Sequence, residues 1–298
     1  MTYLSLSEYL IQTFGSKVYK LSLSSGCSCP NRDGTIAYGG CAFCSAGGSG
    51  EFSASFAPLR EQMEQARARV DSKFPARTRS NRKYIAYFQS YTNTYGDVKR
   101  LSKLYGEALS YEDIVALSVG TRPDCLGEPV LDMLEALNKV KPVWVELGVQ
   151  TANDATARSI NRGYETAVFA DAYERVKRRH LSVIVHVILG LPGETKDDML
   201  GTVSYLSSLS PVIDGIKLQN LQILKGTAIG EQYLREPFPV FSLEEYAVLL
   251  GECLKILPKN TVIHRITGDG PKSLLIAPLW SADKKKTLNY LRSYLSSL

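Results

Sequence analysis

Val183-Ile-Val-His-Val-Ile-Leu189 is apolar at every position but one and runs directly into Gly190-Leu-Pro-Gly-Glu-Thr195. A run this short and this apolar reads as a β-strand covered on both faces, turning sharply into a helix whose N-cap is Thr195. Working outward, strand-like runs recur at 17–24, 83–89, 114–119, 143–150, 181–189, 215–223 and 261–266. Between them lie helical patterns at 57–74, 98–109, 128–140, 166–179, 195–209 and 243–257. Repeated β–α units with short turns predict a parallel α/β sheet or barrel. Six or so units in about 210 residues are too few for an eight-unit barrel, so an open or partial barrel is expected. With neither a repeat nor a linker to divide it, the chain reads as a single domain, 1–298. Its core spans about 17–225, with a C-terminal extension over about 226–298.

Hydrophobic content of 44% and charged content of 22% are those of an ordinary soluble globular protein. The apolar runs are too short for membrane spans. The start, Met1-Thr-Tyr-Leu-Ser-Leu-Ser-Glu8, lacks a basic region followed by an apolar core, so no secretory signal is evident. A cytoplasmic address, no membrane partner and free thiols are the expectation. A net charge of +5 permits an anionic partner such as RNA without demanding one.

In parallel α/β folds ligands gather at the C-terminal ends of the strands. The unusual residues of this chain fall there repeatedly: 26–50 after the first strand, 90–94 after the second, 120–124 after the third and 190–194 after the fifth. The first of these loops reads Gly26-Cys-Ser-Cys-Pro-Asn-Arg-Asp-Gly-Thr-Ile-Ala-Tyr-Gly-Gly-Cys-Ala-Phe-Cys44, so four of the six cysteines lie close together. Cys41 and Cys44 form a C-x₂-C pair, and Cys29 sits across a loop containing Gly34, Gly39 and Gly40. These glycines let the backbone approach an inorganic core and donate N–H groups to anionic sulfur. Soft thiolates select zinc or iron–sulfur centres. On the residues alone both stay open, and Cys27 competes with Cys29 as a ligand.

The string Cys29-Pro-Asn-Arg-Asp-Gly…Gly-Gly-Cys-x-Phe-Cys44 resembles a lengthened cluster motif of the radical S-adenosylmethionine (SAM) enzymes. Specifically, it resembles the YhcC-type family, relatives of the catalytic subunit of elongator. The resemblance extends over nearly the whole chain and implies a partial (β/α)6 radical SAM barrel. It implies that Cys29, Cys41 and Cys44 bind three irons of a [4Fe–4S] cluster, the fourth iron being left for SAM. An external reductant such as flavodoxin or ferredoxin would supply the electron that cleaves SAM to a 5′-deoxyadenosyl radical. Phe43 would pack near the adenine, and Cys27 falls outside the triplet.

Further strings carry the same resemblance. Tyr87-Phe-Gln-Ser-Tyr-Thr-Asn-Thr-Tyr95 matches the segment that holds the SAM amino group, with Gln89 and Ser90 as polar contacts, although Asn93 and Thr94 could equally cap the next helix. Gly120-Thr-Arg-Pro-Asp-Cys125 matches a Thr-Arg-Pro-Asp string in which Arg122 and Asp124 contact substrate or pair with each other; Cys125 reads as a packed thiol. Glu146, inside an apolar strand, needs a partner: the SAM ribose or a cationic neighbour. Arg162, in Ile160-Asn-Arg-Gly-Tyr164, is the candidate fork for the SAM carboxylate. Gly190 opens a turn where backbone groups approach the adenine. His186 reads as a satisfied core histidine. His264, Arg265 and Asp269 close the barrel near the substrate or form a structural turn.

The cluster implies radical hydrogen abstraction and leaves the catalytic side chains unassigned. The resemblance implies a tRNA wobble-uridine enzyme that converts 5-carboxymethylaminomethyl-uridine to 5-aminomethyl-uridine. No acetyltransferase domain and no second cluster motif are present in these 298 residues. The alternatives are a radical SAM enzyme acting on a small molecule or peptide, and a non-catalytic, zinc-stabilised RNA-binding module.

Overall fold

The computed structural model describes residues 3–48, 50, 52–54, 56–74 and 81–298. Ser49 in the cysteine loop and the first two residues of the chain lie outside them. Seven strands form one parallel sheet in the order β1(Val18–Leu23), β2(Lys83–Phe88), β3(Ile114–Thr121), β4(Val143–Gln150), β5(Ser182–Leu189), β6(Gly215–Asn220) and β8(Val262–Arg265). Helices α2(Leu59–Val70), α3(Val98–Ser110), α4(Glu128–Asn138), α6(Thr166–Arg178), α7(Lys196–Ser207) and α9(Leu243–Ile256) follow the strands, as the alternating pattern predicts. The result is a half-barrel with helices outside, and the C-terminal extension supplies its seventh strand.

Side chains alternate across a strand, and here the two faces differ in chemistry. The outward set, including Leu21, Phe88, Leu117, Val145, Val185 and Leu218, joins the helices in the main apolar core. The inward set is stratified. At the N-terminal ends of the strands, Val18, Ile85, Ala116, Trp144 and Ile184 form a separate apolar cluster. Two residues further along each strand stand Lys20, Tyr87, Ser118, Glu146 and His186, joined by Lys217 of β6. Gly215 of β6 is a positional necessity in the apolar layer: a Cβ there would lie 2.7 Å from the His264 ring. That ring stacks edge-on against Trp144, with centroids 5.4 Å apart.

The apolar layer is closed from below by α1(Leu6–Phe14), a helix the periodicity reading missed. Its signals were present: Ser5 and Glu8 form a reciprocal capping box, and Gly15 ends the helix in the left-handed conformation at φ 72°. Leu10 plugs the barrel, and α1 touches both edge strands, β1 and β8.

The expected strand at 215–223 divides into β6 and a short β7(Ile223–Leu224), which pairs antiparallel with β9(Leu275–Ala277). The break falls at Asn220, whose Oδ1 accepts from Thr267 Oγ1 and Gly268 N. The short helices α5(Asp154–Ser159) and α8(Ala228–Arg235) and the terminal α10(Lys284–Ser297) were also unforeseen. Thr195 caps α7 as expected. Asn93 and Thr94 do not cap α3; Asp97 does, accepting from Arg100 N at 2.7 Å. No helix among the described residues is long and apolar enough to cross a membrane.

Candidate active site

A cavity of about 240 Å³ opens at the C-terminal ends of the strands, walled by the cysteine loop on one side and by residues 265–270 on the other. Cys29, Cys41 and Cys44 all line it. The loop reaches this position through its own turns. Cys29 O accepts from Arg32 N at 2.8 Å, and Cys44 N donates to Cys41 O at 2.8 Å. Arg32 Nη2 donates to Cys44 O at 3.0 Å and also to Ser45 O.

The segment 160–163 braces this loop. Ala42 N donates to Ile160 O at 2.8 Å, Asn161 Nδ2 to Gly40 O at 2.9 Å, and Asn31 Nδ2 to Asn161 O at 2.6 Å. The same Asn31 amide lies 3.6 Å from Cys41 Sγ. Gly163 sits at φ 81°, where a Cβ would meet Asn31 Oδ1 at 2.6 Å, so glycine is required twice over. Burial, and after it the neighbouring Cys44 thiol, pushes Cys41 up to about 12. The thiol is thus neutral at pH 7 until a cation binds its sulfur.

Cys27 is withdrawn from this set. It is buried in the main core, and its Sγ accepts from Arg100 Nη2 at 3.2 Å. Three soft donors facing one cavity suit a [4Fe–4S] cluster, whose thiolates bind separate irons and which keeps one iron open for SAM. A tetrahedral zinc site would need a fourth ligand. Among the described residues no three His, Cys, Asp or Glu side chains are grouped as ligands of a single ion.

The remaining expected contacts divide. Phe43 lines the cavity and packs against the apolar cluster of Ile160, Leu191 and Leu221. Gln89 also lines it, its amide donating to Ser53 Oγ at 3.3 Å. Ser90 lies off the wall, packed so closely on Gly50 that a Cβ there would overlap its hydroxyl. Gly190, at φ 91°, also lies off the wall; Phe241 covers it, and its N–H donates to Met199 Sδ at 3.1 Å. Its backbone therefore supports the turn and does not face the cavity.

Arg162 needs the clearest correction. It is fully buried, and its guanidinium donates to Tyr164 O, Val149 O, Thr151 O, Asp154 Oδ1 and Thr166 Oγ1. A fork so fully engaged ties β4 to the helix after it and has no face left for a carboxylate. Arg122 and Asp124 pair with each other at 2.7 Å, and Arg122 Nη1 donates to Arg162 O. Cys125 packs beside them, its Sγ 3.7 Å from Asp124 Oδ1.

Glu146 has cationic neighbours. Its Oε1 accepts from Lys20 Nζ at 2.6 Å and Ser118 Oγ at 2.6 Å; its Oε2 accepts from His186 Nε2 at 2.7 Å and from Lys217 Nζ. Burial alone would raise its carboxyl, but the Lys20 and Lys217 charges outweigh burial and hold it well below the usual carboxylate range. Burial, then Lys217, lowers His186 to about 4, so it stands neutral as a donor. Burial also draws Lys217 down to about 7 against the pull of Glu146. Lys20 and Lys217 were not singled out from sequence. Each is the one charged residue in its strand, as Glu146 is in β4.

Family comparison agrees with this geometry. Residues 29–206 match the model of the radical SAM superfamily, and residues 213–297 match its C-terminal domain. YtqA of Bacillus subtilis is 39% identical over 99% of this chain and 90% of its own length. YhcC of Escherichia coli is 38% identical over 96% of this chain and 90% of its own. A tRNA uridine(34) acetyltransferase of Methanocaldococcus jannaschii is 27% identical over 54% of this chain and 30% of its own. The structure of Elp3 from Methanocaldococcus infernus, lacking its N-terminus, superposes with a TM-score of 0.70 at 16% identity. That superposition covers 94% of this chain and 63% of that one. A half-barrel whose mouth holds three cavity-lining cysteines, together with these matches, identifies the chain as a radical SAM enzyme of the YhcC type, one of a family that uses a [4Fe–4S] cluster and SAM.

Proposed function

We propose that Cys29, Cys41 and Cys44 hold the cluster and that the enzyme tailors the wobble uridine of tRNA, converting 5-carboxymethylaminomethyl-uridine to 5-aminomethyl-uridine. The observation that carries this reading is the cavity itself. Cys29, Cys41 and Cys44 line it together with Phe43, Gln89, Glu146 and Lys217, and on this reading the three thiols take the cluster while Phe43 and Gln89 contact SAM. The tRNA assignment draws support from the partial likeness to a tRNA uridine(34) acetyltransferase and from the net charge of +5.

When bound, the cluster and SAM supply the radical that takes one hydrogen atom from the substrate. The methylene between the amine and the carboxylate gives it up readily, because the two groups stabilise the resulting carbon radical from opposite sides. Loss of one further electron to a one-electron acceptor, and of the N–H proton to solvent, leaves a C=N bond. Water then splits that bond into the amine and a two-carbon aldehyde acid. The protein's part is positioning: the braced loop 29–44 sets the radical source, and the floor residues set the substrate. A flavodoxin or ferredoxin supplies the reducing electron.

Mass spectrometry of total tRNA nucleosides from a deletion strain tests this reading. 5-Carboxymethylaminomethyl-uridine should accumulate and 5-aminomethyl-uridine should fall; an unchanged aminomethyl pool overturns it.

A further inference from the structure

The cavity floor carries more positive charge than its own carboxylate uses. Two lysines converge on Glu146, one from each side of the barrel: Lys20 on Oε1 and Lys217 on Oε2. Lys20 lies outside the cavity wall, whereas Lys217 forms part of it. Glu146 accepts four hydrogen bonds, which fills its two oxygens. Two ammonium groups thus share one carboxylate, which leaves one positive charge in excess. Arg265, whose Cα pairs with that of Lys217 across β6 and β8, adds a second cation to the wall. It is partly met by Gln219 Oε1 at 3.2 Å and by Asp269 at 3.4 Å. Asp269 in turn is shared with Lys284 at 2.7 Å. Tyr87 Oη accepts from Lys217 Nζ at 2.9 Å and fixes where the ammonium points.

We infer that Lys217 and Arg265, with Lys217 oriented by Tyr87, form a subsite for the carboxylate of the substrate's modified side chain. This rests on the uridine reading above, in which that side chain ends in a carboxylate one bond from the methylene that loses hydrogen. Anchoring the acid on the floor holds the methylene toward the cysteine rim, and it rejects side chains that lack the acid. The surroundings of Lys217 explain why an anion belongs there. The groups around it are Glu146, Lys20, His186, His264, Tyr87 and Arg265, with Asp269 on Arg265; counting Lys217 itself, three cations stand against two carboxylates in a buried setting. A neutral ligand would leave that imbalance in place, whereas a carboxylate relieves it and keeps Lys217 protonated.

The test uses reconstituted, anaerobic holoenzyme with SAM. Two anticodon stem-loop RNAs serve as probes, identical except that the side chain of one ends in a carboxylate and that of the other in a carboxamide. Binding is followed by fluorescence anisotropy and turnover by mass spectrometry. The subsite predicts roughly 10- to 100-fold weaker binding of the carboxamide RNA, the usual loss when a charged hydrogen bond is removed. The preference should weaken as pH rises from 7 to 9, where free Lys217 loses its proton while Arg265 stays charged, and K217M should discriminate between the two RNAs less than wild type does. If wild-type enzyme converts the acid RNA yet binds both within twofold, this inference is overturned and the uridine reading stands. If neither RNA is converted and neither is preferred, the uridine reading fails and takes this inference with it. The wild-type comparison decides the matter even if K217M does not fold.

Discussion

Replacing Glu146 by glutamine keeps the shape of the side chain and removes its charge, leaving Lys20 and Lys217 facing each other inside the barrel. Both lysines contact Glu146 directly, and its side chain is 0% exposed. Breaking a buried pair by removing one partner costs about 3–5 kcal/mol. At roughly 2 cal/mol/K per residue, unfolding 298 residues has an entropy of about 0.6 kcal/mol/K. The melting temperature should therefore fall by about 5–8 °C. The sign of the pH dependence separates this cause from a packing defect. Lys217 and Lys20 both sit below the ordinary lysine value in the folded protein, chiefly through burial. A lysine depressed in the folded state binds fewer protons there than in the unfolded chain, so stability rises with pH between the folded value and the ordinary one near 10.4. Losing Glu146 depresses both lysines further, so the variant gains more on raising the pH than the wild type does. The wild-type–variant gap should thus narrow from pH 7 to pH 9, read by circular dichroism melts of anaerobic protein. A melting temperature within about 1 °C of wild type, or a gap that widens with pH, would refute the charge balance described here.

Serine at Cys29, Cys41 or Cys44 should each remove the brown colour and most of the bound iron after reconstitution, while Cys27→Ser keeps about four irons per chain, as measured by metal analysis. Gly163→Ala forces a Cβ onto Asn31 at φ 81° and should loosen the loop brace, seen as lower iron content in a protein whose circular dichroism is unchanged. Leu10→Ala empties the barrel plug under Trp144 and should cost about 2–5 kcal/mol in urea unfolding. Arg162→Lys gives up most of the contacts that hold β4 to its following helix; it should lower the melting temperature even of cluster-free protein, which a residue reserved for SAM would not.

The parallel half-barrel was legible because its strands are covered on both faces and announce themselves as apolar runs between turn residues. The strand ends were legible too, since glycines, amides and five of the six cysteines gather there. What stayed hidden depends on pairing between distant strands. Glu146 stood out as a charge in an apolar run, yet its partners come from β1, β5 and β6, and no local pattern links Lys20, His186 and Lys217. A rule of balance would have helped: a buried acid calls for buried bases, and Val18-Tyr-Lys-Leu-Ser-Leu23 and Gly215-Ile-Lys-Leu-Gln-Asn220 each offer one. Arg162 was misassigned because its partners are largely backbone carbonyls, which leave no trace in residue identity. The plug helix α1 was passed over because its apolar stripe is short, although its capping box and terminal glycine were plain in the sequence.

Reductive cleavage of SAM tests the central claim most directly. Reconstituted protein, reduced under anaerobic conditions and supplied with SAM, is predicted to release 5′-deoxyadenosine, with Cys27→Ser matching wild type and the Cys29, Cys41 and Cys44 variants inactive. Colourless protein that binds one zinc and releases no 5′-deoxyadenosine would contradict it.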